Sequence, residues 1–161
     1  MKSIILFRHA KTESCFLGRD HDRPLTEAGI LDAGKMGHYL AEKNELPDLL
    51  LSSTAVRAKT TVDIAMNKGK WPCPLELDAG IYGGDQHFLL DLINNQDNTL
   101  SSICLVGHEP NFSNFIACST GNAYKPLVKG SMAKIDFDVK CWENIAMGFG
   151  NQIWWVEPGE V

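Results

Sequence analysis

Two histidines and two arginines stand where apolar runs end. Arg8-His9 follows "SIILF", Arg57 comes shortly after "DLLLSS" at 48–53, and His108-Glu109 follows "SICLVG" at 102–107. A guanidinium or imidazole carried straight on into a core is costly, so these residues need a polar destination. Brought into one pocket, two guanidiniums and two imidazoles repel unless an anion lies between them. Arginine's planar fork holds a phosphate or carboxylate at two points at once, and phosphate is the natural occupant. The chain has only four arginines, Arg8, Arg19, Arg23 and Arg57, all in its first third or so, and its other basic side chains are lysines. Taken singly, a strand-end histidine is commonly a hydrogen-bonded structural residue, and an arginine on an amphipathic helix is commonly solvated. The joint pattern at three strand ends points to a site. His21, His38 and His87 show nothing beyond the structural reading.

The elements that must position these residues follow from periodicity. A first strand is expected over residues 3–7, and "RPLTEAG" supplies Thr26 as the N-cap of a helix running to about Lys43. Ile30, Ala33, Gly37 and Leu40 share one face of it. Gly29, Gly34 and Gly37 each weaken such a helix by about 1 kcal/mol relative to Ala, which implies close packing on something flat, such as a sheet. "DLLLSS" reads as a strand covered on both faces. Thr54 is expected to cap a second helix with Ala55, Ala58, Val62, Ala65 and Met66 inward, ended by "WPCP". "LELDAGIY" is a third strand, and Asp85 caps a third helix with Leu89, Leu92 and Ile93 inward. "SICLVG" is a further strand, followed by a helix from about Asn111 that buries Phe112, Phe115 and Ile116 and stops by Gly121. "MAKIDFDV" then alternates with period two, and "NQIWWVEP" reads as its antiparallel partner. Trp154 and Trp155 are expected to cover that edge. This order implies an α/β three-layer sandwich: a mostly parallel sheet with helices on both faces and an antiparallel edge. One domain spans 1–161, and in such sheets ligands bind beyond the carboxyl ends of the strands.

Composition narrows the partners. A net charge of −5 speaks against nucleic acid. No apolar stretch approaches the roughly 20 residues of a membrane span, and "MKSIILF" lacks the features of a signal peptide. Five cysteines without CxxC pairing argue against a disulfide framework and for a reducing, cytoplasmic compartment. Cys104 and Cys118, flanked by apolar residues, are expected in the core. No carboxylate cluster offers a metal site.

The motifs resemble a known family. "LFRHAKTE" is similar to the RH(G/A) signature of the histidine phosphatase superfamily, which includes the cofactor-dependent phosphoglycerate mutases. "SSTAVRAKTT" resembles its second motif and "LVGHEPNFS" its third, while "RPLTEAG" resembles the small SixA-like branch. The resemblance covers nearly the whole chain, four motifs in order at matching spacing. It implies a phosphoglycerate mutase-like fold, with His9 as a nucleophile that carries the phosphoryl group. Arg8, Arg57 and His108 would hold the phosphoryl oxygens and Arg23 would complete the clamp, without metal or cofactor. The second ring nitrogen of His9 needs an orienting partner, expected to be a carbonyl of the following loop, and Arg8 and Arg57 are expected to keep the ring neutral. Arg19 is expected to be a surface charge.

The departures carry information. Ala10 stands where the motif has Gly, and Lys11 where mutases have Glu. No clear counterpart of the mutase acid is present: "AGIYGGD" stands where it is expected, with Asp85 the nearest carboxylate. Glu109 is the rival candidate, its plainer role being a carboxylate at a helix N-terminus. A proton donor typically contributes ~10²–10⁴-fold when an alcohol leaves, and imidazole leaving from phosphohistidine needs it less. The chain also has no insertion long enough for a lid. The expected activity is therefore removal of phosphate from a phosphohistidine-bearing protein, for example a histidine phosphotransfer domain in signal transduction, by a monomeric enzyme. One alternative is a phosphatase or mutase of small phosphate esters such as sugar phosphates. A non-catalytic phosphate-binding module is the alternative of another class.

Overall fold

Side-chain alternation along the central strands divides the core into two layers. In the computed structural model, which describes residues 1–161, Ile5 and Phe7 point to one face of the sheet and Ile4 and Leu6 to the other, none more than 1% exposed. These residues belong to β1 (Lys2–Arg8). With β2 (Leu49–Ser52), β3 (Leu75–Leu77), β4 (Ser102–Gly107), β5 (Met132–Phe137) and β6 (Asn151–Val156) it forms one sheet in the order β3-β2-β4-β1-β5-β6. The first four strands run parallel; β5 is antiparallel to β1, and β6 to β5. The expected mixed sheet with an antiparallel edge is the one formed.

The helices α1 (Glu27–Glu42) and α2 (Val56–Gly69) cover one face, where Met36, Leu40, Ala58, Val62 and Ala65 meet Ile5, Phe7, Leu50 and Val106. On the other face, α4 (Gln86–Asn94) and α5 (Asn111–Thr120) bring Leu89, Ile93, Phe112, Phe115 and Ile116 against Ile4, Leu6, Leu51 and Leu105. Each large apolar side chain so buried contributes about 1.5–3 kcal/mol. One helical turn, α3 (Gly80–Gly83), precedes α4. It takes up the "GIY" that periodicity had joined to the third strand, leaving β3 only three residues long. No helix is long and apolar enough to cross a membrane.

The caps agree with the sequence at two places and differ at one. The Thr26 hydroxyl accepts the Gly29 N–H at 3.0 Å, and Asp85 accepts the N–H groups of His87 and Phe88 at the start of α4. Thr54 does not cap α2. Ser53 Oγ accepts the Ala55 N–H at 3.1 Å, and the Thr54 hydroxyl is spent on His21. Cys104 is buried as expected, whereas Cys118 lies on the exposed side of α5. Trp154 and Trp155 are both half-buried on opposite faces of β6: Trp154 Nε1 donates to Glu45 at 2.7 Å, and the Lys125 ammonium sits 4.3 Å from the Trp155 ring.

None of the three glycines of α1 meets the sheet: Gly29 and Gly37 face other backbone, and Gly34 faces the Lys68 and Ile64 side chains of α2. A Cβ on Gly29 would lie 2.3 Å from Lys11 O, and one on Gly37 would lie 2.3 Å from Ala65 O in α2. Gly37 O also accepts from Trp71 Nε1 at 2.9 Å. The buried face of α1 therefore runs through Gly29, Ala33, Met36, Gly37 and Leu40, and Ile30 is 44% exposed. Helix propensity alone has Gly37→Ala stabilise α1 by about 1 kcal/mol, but overpacking against rigid backbone costs about 1–3 kcal/mol. Gly37→Ala is expected to lower the urea unfolding midpoint; an unchanged or higher midpoint would mean that α1 and α2 separate freely.

Candidate active site

Register brings the strand ends together. Arg8 of β1 pairs with Gly107 of β4, and Ser52 of β2 with Val106, so the residues that follow leave the sheet side by side. His9 N–H donates to Gly107 O at 3.1 Å, Ser53 N–H to Val106 O at 2.9 Å, and Gly130 N–H to His9 O at 2.9 Å. His9, Ser53 and His108 are all buried, and the two imidazole centroids are 5.3 Å apart.

The His9 ring is fixed by its Nδ1–H, which donates to Ala10 O at 2.8 Å. That carbonyl is the loop partner the sequence calls for. The Ala10 N–H in turn donates to Thr61 Oγ1 at 3.0 Å, and the Thr61 hydroxyl to Arg57 O at 2.7 Å, so α2 braces the loop. With hydrogen on Nδ1, the lone pair is on Nε2, which has no protein partner. Burial is the main cause that pushes the His9 pKa down to about 3, with His108, Arg57 and Arg8 adding to it and the Ala10 hydrogen bond opposing. Desolvation thus outweighs the arginines in keeping the ring neutral.

His108 is likewise pushed down to about 4, by burial first and Arg57 second. Its Nε2 lies 2.8 Å from Ser53 Oγ, which already accepts from Ala55 N–H. If the Ser53 hydroxyl donates to Nε2, both groups are satisfied, and His108 Nδ1 is then an N–H without a protein partner.

The arginines are gripped by their terminal nitrogens. Arg8 Nη1 donates to Leu127 O at 2.9 Å, while Arg57 Nη1 and Nη2 donate to Asp20 O at 2.8 Å and Asp20 Oδ2 at 3.1 Å. The Nε of each is buried and unpartnered. Arg23 reaches the same cluster through Thr12 Oγ1 at 3.2 Å and Asp20 Oδ1 at 2.9 Å. Asp20 also accepts from the Tyr82 hydroxyl, whose ring stands edge-on to His108 at 5.4 Å. That hydroxyl, and after it Arg57 and Arg23, hold the Asp20 carboxyl down at about 2. Lys129 feels the same cations: burial lowers its pKa first, then Arg8, Arg23 and Arg57.

The two carboxylates considered as proton donors have other work. Glu109 accepts the Ser113 N–H at 2.8 Å, the Ser113 hydroxyl, and the Leu127 N–H at 3.2 Å. Both its oxygens are engaged, so it caps the first turn of α5 and holds the segment whose carbonyl receives Arg8. Asp85 caps α4 and makes no hydrogen bond or ion pair to the cluster. Arg19 is exposed, as expected. No three His, Cys, Asp or Glu side chains are grouped to hold a metal ion.

Sequence reasoning missed Asp20, Ser53, Tyr82, His21 and Lys129. His21 packs edge-on against Tyr82 at 5.0 Å, with its Nε2 3.0 Å from Thr54 Oγ1. Asp20, three residues before Arg23, was visible as a local ion pair, and Ser53 as a strand-end hydroxyl. Tyr82 and Lys129 carry no local signal. The stretch "AGIYGGD", where an acid is sought, contributes the ring of Tyr82 instead.

Comparison with known proteins agrees with this geometry. A family model described as histidine phosphatase superfamily (branch 1) matches residues 4–82, the stretch that holds Arg8, His9, Arg23 and Arg57. An uncharacterized protein of Mycobacterium tuberculosis is 34% identical over 106 residues, 66% of this chain and 65% of that protein. The chain thus spans just under two-thirds of that relative's length. Among solved structures, a SixA protein from Agrobacterium tumefaciens is similar with a TM-score of 0.84 and 26% identity over 98% of both chains. The protein histidine phosphatase SixA complexed with tungstate has a TM-score of 0.79 and 21% identity, again over 98% of both. Motifs, family-model match, fold and strand-end cluster all point to the histidine phosphatase superfamily, and the chain is SixA-like in build.

Proposed function

We propose that the protein is a metal-independent phosphatase that passes a phosphoryl group through His9 and acts on phosphohistidine carried by another protein. The observation that carries this reading is the set of unpartnered, buried nitrogens beside His9, namely Arg8 Nε, Arg57 Nε and His108 Nδ1. A buried donor left unmade costs about 1–3 kcal/mol, and a tetrahedral oxyanion would satisfy Arg8 and Arg57 Nε–H and, with Ser53 donating to His108 Nε2, His108 Nδ1–H as well.

The chemistry follows from the seat. His9 Nε2 attacks phosphorus in line as the P–N bond to the substrate imidazole breaks, and that imidazole takes a proton from solvent. Water then attacks phospho-His9, releasing phosphate and restoring the neutral ring. Arg8, Arg57 and His108 donate to the phosphoryl oxygens as charge builds, where such donors are most effective. Arg23 acts through Asp20 and Thr12 at the rim. Phosphohistidine is favoured over an ester because Glu109 and Asp85 are both committed to helix N-termini, which leaves no carboxylic acid poised to protonate an alcohol. Five free cysteines suit a reducing cytoplasm, where a phosphotransfer protein is the expected partner.

In single turnover with a phosphohistidine-carrying domain, the intact protein is expected to release phosphate and His9→Asn to lose at least ~10³-fold of that rate. A sugar phosphate and an aryl phosphate run alongside decide the substrate class: preferential ester turnover would transfer the assignment to small-molecule esters, and inertness to all three would leave only phosphate binding.

The histidine environment yields a separate expectation. An imidazole whose folded pKa is depressed stabilises the fold above its unfolded value near 6.5, and that contribution is lost as pH falls toward the folded value. NMR titration of the His9 and His108 ring protons should show both neutral down to pH 5, given values of about 3 and 4. The thermal midpoint should drop between pH 6.5 and 4, and less steeply in His9→Asn. Midpoints near 6.5 for both rings would refute the buried, neutral pair.

A further inference from the structure

The loop between Thr12 and Leu25 brings an anion of its own to the pocket. Thr12 and Leu25 pair across its base, and a single 3₁₀ turn at Asp20–Asp22 lies between them. Asp20 is grasped by three side chains, two of them from other elements. Its carbonyl and Oδ2 take Arg57 Nη1 and Nη2 from α2, at 2.8 and 3.1 Å. Its Oδ2 also takes the Tyr82 hydroxyl from α3, and its Oδ1 takes Arg23 Nη2 at 2.9 Å. Yet the Asp20 side chain is 53% exposed, and ion pairs of exposed carboxylates add little to stability. Three donors converge on it more closely than the fold requires.

The geometry of Arg57 suggests what the convergence achieves. Asp20 accepts from both terminal nitrogens, which restrains the guanidinium, and the buried Nε–H has no partner. Arg8 is arranged alike, with Nη1 on Leu127 O and Nε unpartnered. Arg57 is held through both terminal nitrogens and Arg8 through one, and each has a buried Nε–H without a protein partner.

We propose that Asp20 is a positioning residue that locks Arg57 with its Nε edge toward the phosphoryl group, so that the donor is in place before phosphorus is attacked. The proposal rests on the phosphatase reading above. Asp20 is neither the occupant of the phosphate seat nor a proton donor. Removing it leaves the Arg57 charge in the pocket and takes away a neighbouring anion, so ground-state phosphate binding does not weaken. What is lost is the fixed direction of Nε–H, which matters most in the transition state.

The test compares the intact chain with Asp20→Ala and Asp20→Asn, measuring the inorganic phosphate dissociation constant, the single-turnover rate of phosphoryl transfer, and the Arg57 Nε–H signal by NMR. Asp20→Ala is expected to slow transfer by about 10- to 100-fold while phosphate affinity does not fall. Asp20→Asn, which keeps an oxygen acceptor for Arg57, should recover part of the rate. The Nε–H signal should be slow to exchange in the intact protein and broadened in Asp20→Ala. Phosphate binding about tenfold tighter in both variants, with transfer undiminished, would make Asp20 a resident competitor and overturn the proposal. A lower thermal midpoint with unchanged rate and Nε–H signal would reduce it to a loop strut, also overturning it. If the intact protein transfers no phosphoryl group, the phosphatase reading fails by itself. The Nε–H signal, followed with and without phosphate, then decides whether Asp20 holds Arg57.

Discussion

His9 leaves the end of a central strand with its Nδ1–H committed to Ala10 O at 2.8 Å, and burial keeps the ring neutral down to a pKa of about 3. An uncharged, oriented imidazole in the midst of cations is the arrangement the rest of the pocket serves. It requires that the ring be shut away from water, which the layers above and below the sheet accomplish. It also requires that the guanidiniums be close without being free to turn away. Thr61 joins Ala10 N–H to Arg57 O and so ties the loop that holds the His9 ring to the helix that carries Arg57.

The positive charge is held by two carboxylates that do parallel work. Glu109 secures the Leu127 segment through its N–H, and the Leu127 carbonyl then receives Arg8. Asp20 takes Arg57 and Arg23 directly. Asp20 meets the Arg57 guanidinium directly, whereas Glu109 reaches Arg8 only through Leu127; both anions offset part of the repulsion among Arg8, Arg23, Arg57 and Lys129.

Reading the chain along its length recovered the elements whose cause is local. The apolar runs ending at Phe7, Ser52 and Gly107 form β1, β2 and β4, and the strand-end rule brings Arg8, His9, Arg57 and His108 together from the sequence alone. Thr26 and Asp85 capped as their side chains dictate. The failures are those in which a distant partner competes for a group. Thr54 did not cap α2 because His21 takes its hydroxyl, and Ile30 was not in the core because Gly37 set the buried face of α1 by meeting Ala65.

By itself the sequence determined the strand ends, the Thr26 and Asp85 caps and the four basic side chains gathered at one sheet edge, because period and side-chain chemistry act within a few residues. Only tertiary structure decided what those residues face. The Tyr82 hydroxyl meets Asp20 across 62 positions, Arg57 meets it across 37, and His108 finds Ser53 across 55. Such contacts arise from sheet order and helix packing, which place loops of unrelated composition at one edge, and no local periodicity encodes them.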